Sequence, residues 1–182
     1  MSLLEIATWL QSTSLSVAIQ SHDWVVPTLQ SLHILMIGVV FISIVVIALR
    51  VLGRVRADEP IATVWGRFAP FLWGGVALMV VTGVLLTLSE PVREFMTLSF
   101  RLKMGLLVVG VVSAAAFGRS VRSTVRVGGV EQEPPFPARV RFAAVATMLL
   151  WLMIILLGRA IAYDDVVWGS WSPAVLAGAG ST

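Results

Sequence analysis

VVPTLQSLHILMIGVVFISIVVIALR, the run from Val25 to Arg50, decides the fold class. It holds no Asp, Glu, Lys or Arg before Arg50, and a helix needs about 20 such residues to cross a bilayer. Three further runs share its character. Phe68–Leu88 is closed by Ser89-Glu90-Pro91, and Leu102–Phe117, the shortest, carries Lys103 in its first turn. Phe142–Ala162 ends at Tyr163-Asp164-Asp165. The expected spans are therefore 25–49, 68–88, 102–117 and 142–162. Pro27 and Pro70 are expected in the first turns of their helices, where a missing N–H costs little. Gly110, Ala114 and Gly118 recur every four residues, and Gly75 and Gly83 share a side of the second span. Such seams let helices approach closely in lipid. The expected fold is all-α, an integral membrane up-and-down four-helix bundle forming a single domain over 1–182.

Composition agrees. Of 182 residues 58% are hydrophobic and 13% charged, and the mean hydropathy is +0.93. A soluble domain is about 45–50% apolar and about 25% charged. Disorder, a collagenous chain and an ordinary cytosolic enzyme are excluded. The absence of Cys excludes disulfides, thiolate chemistry and Cys-based zinc or iron–sulfur sites.

Net charge is only +3, and 12 of the 13 basic residues are Arg placed at span ends, which reads as topology and not as a nucleic-acid surface. Arg50, Arg54, Arg56 and Arg67 fall in the first connection, and Arg119, Arg122, Arg126, Arg139 and Arg141 in the third. The second has Arg93 and Arg101, and the tails have none. The positive-inside rule then puts both termini outside, for a multi-pass protein of a bacterial inner (plasma) membrane. The Gly128–Pro135 stretch reads as a flexible cytoplasmic linker. Met1–Ala18 contains Glu5 and no Lys or Arg, so it lacks the positive region of a cleavable signal. Leu3, Leu4, Ala7, Leu10 and Val17 recur at helical spacing, which predicts an amphipathic interfacial helix over 3–18 with Trp9 at headgroup depth.

Ionisable groups inside a membrane are rare, and each is a functional-site hypothesis. Counted from the Arg-rich ends at 1.5 Å per residue, His33, Thr82-Gly83, Lys103 and Arg159 all lie about 23–27 Å deep, in one layer near the outer face. His33 has Gln30 three residues earlier on its own face. Two readings stand. His33 is hydrogen-bonded across the bundle, to Thr82 or a backbone carbonyl, or it is a neutral imidazole ligand to haem iron. Lys103, the only lysine, either lifts its ammonium to the headgroups or faces the site. Arg159 either snorkels, pairs with Asp164, or holds an anionic group such as a haem propionate, with Arg101 and Arg93 at the rim. The methionines are spread over all four spans and read as packing, not as a copper site. Trp73 and Trp151 read as core, the other tryptophans as interface markers. There is no embedded carboxylate pair, no Ser/His/Asp set and no glycine-rich phosphate loop, so hydrolysis is not indicated. Span interiors without Asp or Glu argue against an ion-coupled transporter.

The run Trp24–Gly38, closing with Leu49-Arg50-Val51-Leu52-Gly53, resembles a bacterial family of small four-helix membrane proteins catalogued as domain of unknown function 6644. The likeness continues through Thr82-Gly83 and Phe100-Arg101-Leu102-Lys103-Met104, covering Leu4 to about Tyr163. Two positions depart from it: Gln30 stands where the resemblance implies a glutamate, and Ala48 where it implies an aspartate. More distantly, a His in the first span and a Lys opening a later one are similar to CopD-like copper-resistance proteins and to HemJ-like haem-containing protoporphyrinogen oxidases. That resemblance implies a b-type haem, with His33 and Lys103 as the functional pair.

The leading expectation is a haem-b-binding membrane protein that mediates electron transfer near the outer face. His33 would be an axial ligand, with His22 a candidate for the second position; Thr82 and Gly83 would make room for the macrocycle. Lys103, Arg101 and Arg159 would hold propionates, or Lys103 would stand near the second axial position, with Gln30 beside the ligand. A quinone or a periplasmic redox protein would be the electron partner. The alternatives are a cofactor-free anchor or accessory subunit of a larger complex, as a homo- or hetero-oligomer, and a porphyrin or quinol oxidase. Whether the chain is an enzyme stays open.

Overall fold

Apolar helix formers dominate the chain, and its computed structural model is mostly helical over the described residues, which are 2–128, 136–173 and 175. The helices are α1 (Leu3–Gln11), α2 (Ser14–Gln20), α3 (Val25–Val51), α4 (Ile61–Ser89), α5 (Pro91–Met96), α6 (Leu98–Gly128), α7 (Ala138–Ala160) and α8 (Asp164–Trp168). Four of them (α3, α4, α6 and the one beginning at Ala138) are long and apolar enough to cross a membrane. The linker expected at 128–135 lies outside the described residues beyond Gly128, where α6 ends.

Two expectations about helix limits change. Helix α4 starts at Ile61, so Pro70 lies inside it and not in its first turn. The third apolar span stays the shortest of the four, Leu98–Arg119 at 22 residues, but helix α6 runs on past it to 31 residues. The reason is common to both: a span needs apolar residues, but a helix does not, and the Arg-bearing flanks continue the helix beyond the hydrophobic window. The single helix expected over 3–18 is instead two. Ser12 closes α1, and Thr13 takes an extended conformation and accepts Ser16 N–H at 3.4 Å as the N-cap of α2. Hydroxyl residues at a helix start satisfy N–H groups that would otherwise lack partners, which favours this break.

Contacts sort the chain into two compact units. One comprises residues 36–77 and 106–153. Its core joins Ile47, Ala48 and Val51 of α3, Ile61, Val64, Trp65 and Ala69 of α4, Phe117 of α6, Phe136, and Ala144 of α7. The glycine seams here receive side chains: a Cβ on Gly118 would meet Trp65 Cη2 at 2.3 Å, and one on Gly75 would meet Val40 Cγ2 at 2.7 Å. Trp151 is 2% exposed, a core residue as expected, and Trp73 packs against the core's edge. Ala48, where the resemblance implied an aspartate, is buried in this apolar core.

The other unit comprises residues 1–35, 78–105 and 154–182. Helix α1 packs on α5 through its small face at Ala7, while Leu3, Leu4 and Trp9 stay exposed. Ser16 of α2, fully buried, donates to the Leu88 carbonyl at the end of α4 at 2.7 Å. The C-terminal segment is fastened by Asp164, which is 4% exposed. Its carboxylate accepts the N–H of Leu98 at 3.2 Å and of Ser99 at 2.8 Å, together with the Ser172 hydroxyl. Trp168 Nε1 completes the knot by donating to Ser99 Oγ at 2.8 Å. An anion from α8 thus caps the N-terminus of α6, where the helix dipole favours it.

Candidate functional site

His33 sits on α3 in an apolar stretch, half-buried, with its ring against α4. Its Nδ1 lies 2.7 Å from Thr82 Oγ1. Thr82 is 1% exposed, and its hydroxyl also lies 2.8 Å from the Leu78 carbonyl, the ordinary back-bond of a threonine in a helix. A hydroxyl has one proton. With that proton on Leu78 O, Thr82 Oγ1 accepts, so His33 Nδ1–H donates and Nε2 keeps a lone pair. This is how an outer partner fixes the tautomer of a metal-ligating histidine. Gly83 lies under the same ring: a Cβ there would stand 3.4 Å from His33 Cε1. Gly83 thus gives the imidazole room to lie against α4.

Lys103 projects from the first turns of α6 and lays its stem across Gly158 of α7, whose Cβ would meet Cε and Nζ at 3.7 Å. Its charge acts on Glu94 of α5. Glu94, on α5 between two spans, is half-buried, and burial raises its carboxyl above the usual range while Lys103 and Arg93 pull it back. His33, Thr82, Gly83 and Lys103 therefore gather in one unit, joined by two residues that the sequence did not single out, Gly158 and Glu94. Gly158 had a signal: a glycine directly before Arg159 within a span. Glu94 lies outside the span interiors, on the short α5, where an acid carries no such signal.

The other candidates are placed differently. Arg101 is exposed, and its Nε donates to the Phe95 carbonyl at 2.9 Å. Arg159 is exposed with its guanidinium 5.7 Å from the centre of the Tyr163 ring; Asp164, its expected partner, is instead held by Leu98, Ser99 and Ser172. Gln30 is exposed. His22 is exposed, its Nδ1 3.0 Å from both the Ala18 carbonyl and Ser21 Oγ, its ring edge-on to Trp24. Among the described residues no three His, Cys, Asp or Glu side chains cluster as a metal site would require.

Residues 7–164 match a family of unknown function, DUF6644. The chain belongs to that family. The DUF6644 match runs from Ala7 of α1 to Asp164 at the start of α8, so it includes the whole His33–Thr82–Lys103 group and the carboxylate that caps α6. No curated protein and no solved structure matches the chain.

Proposed function

We propose that this DUF6644 member is a membrane-embedded haem b protein of the bacterial inner membrane, an up-and-down bundle with both termini outside, that passes electrons near the outer face. One observation carries the reading: His33 Nδ1 is paired with a buried threonine, an arrangement that lets Nε2 serve as a lone-pair donor from an apolar helix. Donor chemistry of that kind fits an axial position on haem iron. Haem, when bound, supplies one-electron chemistry. The chain's own part is to aim Nε2, to fix the tautomer through Thr82, and to set a cation, Lys103, near the ligand for a propionate. Arg101 and Arg159 stand as rim cations, and His22 offers a second imidazole. The similarity of His33 and Lys103 to the His and Lys of HemJ-like oxidases points the same way. A quinone or a periplasmic redox protein is the partner this reading calls for. The exposed Leu3, Leu4 and Trp9 support a membrane-surface role for α1.

A second reading has its own observation. The His33–Thr82 bond links α3 to α4 and would lock a cofactor-free anchor equally well. Haem content separates the two. The full chain, purified in detergent after haem-replete expression, is assayed by pyridine haemochrome alongside His33→Gln. Near-stoichiometric haem in the wild type and its loss in the variant support the proposal; colourless wild-type protein refutes it in favour of the anchor.

A further inference from the structure

The connection from Arg50 to Arg67 carries four arginines against two acids, Asp58 and Glu59. Glu59 organises it. Its carboxylate is 3.3 Å from Arg56 Nε and 3.5 Å from Arg67 Nη1, and its carbonyl accepts Arg50 Nε at 2.6 Å. One carboxylate thus serves two guanidinium groups, which leaves positive charge in excess. Arg56 is held there in a left-handed backbone conformation (φ 51°), which a residue with a Cβ rarely adopts. Its guanidinium lies 6.0 Å from the centre of the Phe68 ring, and Nη1 is buried with no hydrogen-bond partner. The side chain remains one third exposed and that of Arg67 one half exposed, so both keep an edge open to an incoming acceptor.

Directly beyond Arg67 in sequence, α4 presents a shallow, open apolar groove formed by Trp65, Gly66, Ala69, Pro70 and Trp73. Gly66, Pro70 and Trp73 repeat at helical spacing along about 10 Å of axis, leading away from the arginines into the apolar part of the helix. Trp65, one wall, is fixed by its ring seated on Gly118. A cluster with excess positive charge, next in sequence to an apolar face of a helix able to span a membrane, matches one kind of molecule: an acidic head on a hydrocarbon tail.

We propose that Arg56, Arg67 and the α4 groove bind one anionic phospholipid, its phosphate on the two guanidinium groups and an acyl chain along Gly66–Trp73. The site lies in the other unit from His33 and does not rest on the haem reading. It is tested on the full chain in neutral detergent, by native mass spectrometry and by thermal unfolding. Titrants are dioleoylphosphatidylglycerol, dioleoylphosphatidylcholine and inorganic phosphate alone. Two variants accompany the wild type. Arg56→Gln/Arg67→Gln removes the charges. Gly66→Leu adds bulk to the groove at a position where an added Cβ meets nothing within 4 Å, and its Tm in lipid-free detergent checks that the fold is kept.

The expected result is one retained phosphatidylglycerol and a rise in Tm that the choline lipid does not match. Each lost arginine is expected to weaken affinity about fivefold, and so about 25-fold for the pair. Gly66→Leu is expected to lose the bound lipid while keeping the wild-type Tm in lipid-free detergent. Equal shifts from both lipids, an equal shift from phosphate alone, unchanged binding in the double variant, or a dimer of this chain in place of a bound lipid each overturn the proposal.

Discussion

Gly118 is the position at which packing is most directly exposed to test. An added methyl would stand 2.3 Å from Trp65 Cη2, 2.7 Å from Cζ2 and 3.3 Å from Cζ3, all far inside van der Waals contact. The tryptophan is 9% exposed and belongs to the same core as Ile47, Phe117 and Ala144, so a rigid ring must displace packed neighbours to make room. Overpacking of this kind costs about 1–3 kcal/mol. Exchanging Gly for Ala inside a helix returns up to about 1 kcal/mol. Gly118→Ala is therefore expected to lose about 0.5–2 kcal/mol, a fall of a few degrees in Tm for a chain of this size. The assay is thermal unfolding of detergent-solubilised protein followed by circular dichroism. Gly105→Ala is the control, because a Cβ there meets nothing within 4 Å, and it is expected to be neutral or slightly stabilising. Adding Trp65→Leu to Gly118→Ala removes the clashing ring, so the two losses are expected to be less than additive. A Gly118→Ala protein as stable as the Gly105 control, or strictly additive losses with Trp65→Leu, refutes the reasoning.

Thr82→Val removes the acceptor of His33 Nδ1–H inside the protein. It is expected to cost about 1–3 kcal/mol in unfolding free energy, whereas Thr82→Ser keeps the bond and most of the stability. Glu94 gives a pH signature. Burial raises its carboxyl in the folded chain, so its contribution favours folding at low pH and is lost as pH rises through the folded value. Glu94→Gln is expected to flatten that part of the stability-against-pH curve, read as the difference in Tm between variant and wild type; parallel curves contradict the assignment.

The sequence made the four apolar helices legible because membrane spanning demands a length and a composition that nothing else in a chain of 182 residues requires. Their ends were less legible. Arg67 and Arg119 close the hydrophobic windows but not the helices, which is why Pro70 moved from a first turn into the interior of α4. Within the site, His33 and Thr82 were readable as a pair because both stood out at one depth in apolar helices. The direction of Lys103 was not, since which glycine it crosses depends on how α6 and α7 are registered, and periodicity along one helix carries no information about its neighbour. Arg159 and Asp164 illustrate the same limit. Five residues apart, they looked like partners, but Asp164 is drawn to unfilled N–H groups at the start of α6, a demand set by a helix 65 residues away in sequence.

The measurement that tests the account most directly is a reduced-minus-oxidised absorption spectrum of purified His33→Gly with and without added imidazole. If Nε2 of His33 holds iron, the variant has lost the wild-type Soret and α-band features, and free imidazole, filling the space left by the side chain, restores them. A variant whose spectrum equals that of the wild type without imidazole, or a wild-type protein with no such bands, contradicts it.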